Sequence, residues 1–285
     1  MSTKFALCVA AFCAAWTLPA YSQGEYRILN SYTLGGEGGW DYLNLDPQSG
    51  HLFITRGSHV MVIDPSNGKQ LADITDLQGI HGTAFVGGNA YVSEGGANRV
   101  AVIDAKSFAK TGTIAVGQRP DGILYDAFSK RIFTFNGASK DATAIDPASG
   151  KAVGTVALGG KPEAAVSDGA GTIFVNIEDK SELVAFDAAT LAVKNRYPLA
   201  PCEEPSGMAA DLAHGRIFSG CDNKMIAVTD MKTGKVVGQI PIGEGVDANR
   251  FDPATGLVFS SNGESGTLTI AHEDNPNKFT VLQNV

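Results

Sequence analysis

An all-β chain of repeated four-stranded antiparallel units is predicted by three observations: a period near 42 residues, abundant glycine, and short alternating strands with no helical periodicity. The run Val62-Ile63-Asp64 recurs as Val102-Ile103-Asp104, Ala144-Ile145-Asp146, Ala185-Phe186-Asp187, Val228-Thr229-Asp230 and Ile270-Ala271-His272, at intervals of 40 to 43 residues. A second series keeps the same period at Asp46, Asp126, Asp168, Asp211 and Asp252, and Val86 to Asn89 supplies the corresponding turn in the second repeat. Glycine is 34 of 285 residues, well above the usual share of roughly 7%, and lacks the strict period of collagen. Glycine at this level serves tight turns.

Each repeat divides into four strands. In the third they span 122–125, 131–135, 142–145 and 152–157, and the turn Asp146-Pro147-Ala148-Ser149-Gly150 carries turn-forming residues in order. Asp bonds its own backbone, Pro presets φ and Gly supplies positive φ. Val, Ile, Phe and Thr alternate with smaller or polar neighbours at period 2 rather than 3.6. One small twisted sheet cannot bury both faces, but a ring of such sheets stacks face to face. A four-stranded unit of 40 to 45 residues is therefore read as a blade of a β-propeller. A linear β-solenoid is the rival, and its coils are usually shorter.

Six complete blades follow, at 36–75, 76–116, 117–158, 159–200, 201–242 and 243–284, with an extra strand expected at 26–34. That strand reads as the outer strand of an incomplete seventh blade, and residues 23–285 as one propeller domain whose last blade lacks its C-terminal part. Residues 1–22 read as a signal peptide: Lys4, an uncharged apolar run from Phe5 to Pro19, then Ala20 and Ser22 for cleavage after Ser22. The expected location is periplasmic or secreted, with no membrane span after signal removal. The net charge of −8, without a basic patch, argues against nucleic acid as a partner. Cys202 and Cys221 are the two cysteines beyond the signal, and in an exported chain they read as a disulfide.

The blade pattern resembles the YVTN-type β-propeller repeat family, the YncE-like exported bacterial propellers. The resemblance rests on Arg119-Pro120-Asp121 and Lys161-Pro162-Glu163 opening two blades. It rests also on Ile173-Phe174-Val175-Asn176 in a second strand and on Val100-Ala101-Val102-Ile103-Asp104 in a third. It implies the propeller fold and export across essentially the whole mature chain. It implies no particular chemistry, because these are turn and core residues.

The residues opening the innermost strands are Asp41, His81, Asp121, Glu163, Ser206 and Asp247. In a ring they gather around one opening, flanked by Arg119, Lys161, Arg250 and Trp40. Two readings stand. Each carboxylate caps its own loop or pairs with a basic neighbour, or the acids converge on a cation or polar ligand. The leading functional expectation is a non-enzymatic exported propeller whose acidic top face (Asp41, His81, Asp121, Glu163, Asp247, Arg119, Arg250 and Trp40) binds a small polar ligand, a cation or another envelope protein. The alternative is a metal-assisted, lactonase-like hydrolase or lyase at the mouth, in which a divalent cation polarises the substrate and a carboxylate acts as base. His59, His81 and Glu94 form one conceivable metal set, whereas His51 and His214 belong to turns on the opposite face. No haem-attachment, nucleophile-elbow or phosphate-loop motif is present in the sequence.

Overall fold

The computed structural model describes residues 26–285, so the expected signal peptide lies outside the described residues. The first blade is β1 (Leu43–Leu45), β2 (Leu52–Thr55), β3 (Val60–Asp64) and β4 (Lys69–Ile74). The second is β5 (Ile80–Val86), β6 (Asn89–Glu94), β7 (Arg99–Asp104) and β8 (Lys110–Ala115). The third is β9 (Pro120–Asp126), β10 (Arg131–Asn136), β11 (Asp141–Asp146) and β12 (Lys151–Ala157). The fourth is β13 (Pro162–Ser167), β14 (Thr172–Ile177), β15 (Glu182–Asp187) and β16 (Val193–Pro198), with a 3-10 turn at Glu178–Lys180. The fifth is β17 (Pro205–Asp211), β18 (Arg216–Cys221), β19 (Met225–Asp230) and β20 (Val236–Pro241). The sixth is β21 (Val246–Asp252), β22 (Leu257–Asn262), β23 (Thr267–Asn275) and β24 (Lys278–Asn284). Every sheet has four strands in sequence order, each antiparallel to the next.

The turns hold because their aspartates cap them. Asp64, Asp104, Asp146 and Asp187 accept hydrogen bonds from the N–H groups two residues on. Bonds from the turns' own hydroxyl and N–H groups keep these carboxyls below the usual range. Apolar faces then pack blade against blade. Phe133, Phe135, Ile173 and Phe186 are fully buried between the third and fourth blades, and the Phe133 and Phe186 rings meet edge to face at 5.5 Å. Phe53, Val62, Ile80 and Val92 do the same between the first and second. All six innermost strands, or the residue leading into them, line one axial channel of about 90 Å³ through Tyr42, Thr83, Ile123, Ala165, Met208 and Arg250. The period has become rotation about an axis.

The expected strand at 26–34 has no ladder pairing, and the segment lies between the sixth and first blades. Tyr26 exchanges two 2.8 Å hydrogen bonds with the Gln283 side chain of β24. Tyr32 donates to Ser66 O at 3.1 Å in the first blade, and Leu34 packs against Ile54, Met61 and Ile63. This is the position of a partial seventh blade. Beside it a cleft of about 240 Å³ separates the first and sixth blades, lined by Tyr42, Leu43, Asp247, Arg250, Phe259 and Leu268. Among the described residues, no helix is long and apolar enough to cross a membrane.

Candidate functional site at the propeller mouth

Five of the six residues that open the inner strands sit in β-bulges; Asp41 instead precedes β1. Pairing between first and second strands slips between Ile80 and Thr83, Pro120 and Ile123, Pro162 and Ala165, Pro205 and Met208, and Val246 and Ala248. The slipped stretches hold His81, Asp121, Glu163, Ser206 and Asp247. A bulge frees its residue from the ladder and re-aims the side chain, here toward the axis. Glycine makes the crowding possible: a Cβ on Gly122 would lie 2.8 Å from Glu163 O, and one on Gly207 would lie 2.7 Å from Asp247 O. Ser93 Oγ donates to Asp121 O at 2.6 Å, and Asn176 Nδ2 to Ser206 O at 2.9 Å. The second and fourth blades thus fix the backbone of the next blade's mouth residue.

The mouth side chains converge. His81 Nδ1 lies 2.7 Å from Asp41 Oδ2 and 3.6 Å from Asp121 Oδ2. Asp41 Oδ1 accepts the Tyr42 N–H at 2.8 Å, the own-loop cap expected under the structural reading. The hydrogen bond that His81 donates to Asp41 raises His81 above its ordinary value against the opposing effect of burial, and Asp121 adds to the rise. Burial pushes Asp121 up, with Asp41 and Asp247 adding repulsion. Asp247 is open to the mouth yet surrounded by protein, and it too is raised by desolvation and by Asp41. Tyr42 is held well above its usual value by burial and by Asp121, Asp247, Glu163 and Asp41. One phenol sensing carboxylates from four blades measures how closely the ring gathers them.

Glu163 is pushed up to about 8 by burial, by a hydrogen bond with Glu178 and by Asp121. Lys161 Nζ lies 2.7 Å from Glu163 Oε1 and also pairs with Glu178. The two carboxyls share one proton, which resides on Glu163, while Glu178 is lowered. A cavity of about 180 Å³ is lined by His81, Arg119, Asp121, Lys161 and Glu163. Among the described residues Arg119 and Arg250 form no ion pair with a carboxylate; Arg250 Nη1 donates to Asn249 O at 2.8 Å. Trp40, 56% exposed, lies on the rim with the Arg56 guanidinium 4.5 Å from its ring centroid. Arg56 also clamps the carbonyls of Gly35, Gly36 and Gly38.

The conceivable set of His59, His81 and Glu94 does not assemble. Glu94 is fully buried and bound to Arg99, His59 lies 3.9 Å from Asp73, and His81 belongs to Asp41. The cysteines do form the expected disulfide, Cys202–Cys221, with Cα atoms 5.4 Å apart. Among the described residues, the one His/carboxylate set whose ligand atoms all lie within 4.8 Å of one another is Asp211, His214 and Glu273. It stands where β17 ends, the face opposite the mouth. Sequence reading put His214 in a turn there and missed its partners. The available signal was a departure from the repeat, since Glu273 stands where the other blades have Pro65, Ala105, Pro147, Ala188 and Met231.

No family model matches the chain, and no curated protein matches it. Solved structures do. The structure of U3-55K superposes with a TM-score of 0.75 at 11% identity, covering 88% of this chain and 82% of that one. The crystal structure of RRP9 WD40 repeats gives 0.75 at 11%, with 88% and 81% covered. The hydrazine synthase of Kuenenia stuttgartiensis gives 0.59 at 16%, with 86% and 98% covered. At these identities the likeness is one of fold: this chain has a propeller fold of the kind seen in WD40 proteins.

Proposed function

We propose that the protein is a hydrolase or lyase for small anionic, carbonyl-bearing molecules, with its site at the propeller mouth. The observation that carries this reading is one cavity of about 180 Å³ shared by His81, Glu163, Arg119 and Lys161, with His81 oriented by Asp41 at 2.7 Å. Asp41 occupies Nδ1 and leaves Nε2 to exchange a proton with a substrate. Its hydrogen bond to Asp41 raises His81 above its ordinary value, and a histidine so oriented is a group suited to general acid–base catalysis. Glu163 carries a proton at pH 7 and serves as the acid. Two titrating groups pushed to different protonation states are what divided acid and base roles require. Arg119 and Lys161 supply the positive charge that holds a carboxylate.

Export to the periplasm or beyond belongs to the same proposal. It is supported by the signal-like N-terminus and by the disulfide, which persists in oxidising compartments. Kinship with the YVTN-type propellers is likewise proposed, on the repeated blade-opening and third-strand patterns described above.

The test is turnover of small carboxylate-bearing lactones, followed by proton release. The wild type is expected to open the ring, and His81→Asn to lower kcat/KM by about 10²-fold or more. Absence of turnover by the wild type, or equal rates in the two proteins, overturns the catalytic reading. A second reading, a mouth that holds a small polar ligand or an envelope protein without turnover, is favoured by one observation. Lys161 ties Glu163 to Glu178, and a tethered acid suits a rigid binding rim. Calorimetric binding of the unhydrolysed lactone, or of its hydroxy acid, separates the two.

A further inference from the structure

We propose a binding site for a first-row divalent transition ion, such as Zn²⁺, formed by Asp211, His214 and Glu273 on the face opposite the mouth, where the ion clips the fifth blade to the sixth. His214 Nδ1 lies 2.5 Å from Asp211 Oδ2 and 3.3 Å from Glu273 Oε1. All three ligand atoms fall within 4.8 Å of one another. Asp211 is 2% exposed and Glu273 8%. Both carboxylate oxygens of Glu273 are buried and make no hydrogen bond among the described residues. A buried carboxylate left without hydrogen bonds is costly, and a cation held between Glu273 and Asp211 removes that cost.

The internal repeats supply an independent argument. Ala105, Ala188, Met231 and Glu273 each donate their N–H to the turn glycine of the same blade, Gly88, Gly171, Gly215 and Gly256, at 2.8 to 3.0 Å. They are therefore equivalent positions, and Glu273 is the acid among apolar residues. In the same way His214 replaces the turn residue that binds the aspartate elsewhere. Ser49 Oγ donates to Asp46 at 2.6 Å, Ser129 N–H to Asp126 at 2.8 Å and Thr255 Oγ to Asp252 at 2.6 Å. The blade needs neither a histidine nor a glutamate for its fold. Two departures from one repeat, on different blades, meet at the same aspartate.

The donor set selects the ion. One imidazole with two carboxylates suits zinc or manganese better than calcium, which takes six to eight oxygens. His214 is 54% exposed at its side chain, which leaves the solvent side open for water to complete the shell. Arg216 is the nearby competing cation, and it is engaged elsewhere: Nη1 lies 2.6 Å from Asp230 Oδ2, and Nε donates to Pro276 O at 2.7 Å.

The experiment uses the full chain, with ZnCl₂ alone as probe, in calorimetry and thermal unfolding. Wild type is expected to bind one Zn²⁺ at this site and to unfold at a higher temperature with it. His214→Ser and Glu273→Ala each install a residue that other blades carry, so the fold is kept, as far-UV circular dichroism checks. Each is expected to weaken Zn²⁺ binding by about tenfold or more and to abolish the thermal shift. His81→Asn, at the mouth, is expected to keep both. Unchanged Zn²⁺ binding in His214→Ser and Glu273→Ala, no Zn²⁺ binding by wild type, or tighter Ca²⁺ than Zn²⁺ binding overturns the assignment.

Discussion

Replacing Glu163 by glutamine isolates the proton held at the mouth. Glutamine has the shape of the neutral acid and cannot ionise. The displacement of Glu163 from 4.5 to about 8 corresponds, at roughly 1.4 kcal/mol per pH unit, to about 5 kcal/mol for a carboxyl acting alone. Glu178 moves the other way in the same exchange, and Lys161 pairs with both. The net effect of the pair is therefore smaller than this single-site figure. The folded-state value lies above the unfolded one, so this contribution is complete below the unfolded value and is lost as pH rises through about 8. Urea unfolding followed by far-UV circular dichroism at pH 5 and at pH 9 reads it directly. The stability advantage of Glu163→Gln over wild type is expected to grow by about 1 kcal/mol or more between pH 5 and pH 9. Asp121, Asp247 and His81 titrate in both proteins and largely cancel in the difference. A gap that is the same at both pH values refutes the shared proton.

Two further outcomes follow from the packing. Converting both Cys202 and Cys221 to serine opens a loop with a sequence separation of 19 and is expected to cost about 3 kcal/mol on the chain-entropy estimate, read by urea unfolding of the oxidised protein. Equal midpoints for the double variant and wild type would contradict the bond. Phe218 is fully buried between the fifth and sixth blades, with the Phe251 ring 5.4 Å and the Phe279 ring 5.7 Å away. Phe218→Ala is expected to cost about 3–5 kcal/mol, and a loss below about 1 kcal/mol would mean that the sixth blade does not depend on this contact.

The architecture was legible because a propeller writes its geometry into its period. Val-Ile-Asp runs and turn aspartates 40 to 43 residues apart dictate four strands per unit. Four-stranded units with two apolar faces have to stack in a ring. The residues opening the inner strands were legible for the same reason, since one position per repeat becomes one circle around the axis. Cys202 and Cys221 follow as well, because an inner strand and its return bring both to the same end of a blade. What only the tertiary structure decided depends on radius and on side-chain aim. The bulges turn His81, Asp121, Glu163 and Asp247 inward, against a simple period-2 reading. Asp41 takes His81, while Lys161 and Glu178 take Glu163, although spacing alone treats these positions alike. Glu273 in β23 reaches Asp211 and His214 of the β17–β18 turn across a blade boundary, a contact that no spacing within one repeat announces. A period fixes the angle between blades; only packed side chains set how far apart their atoms stand.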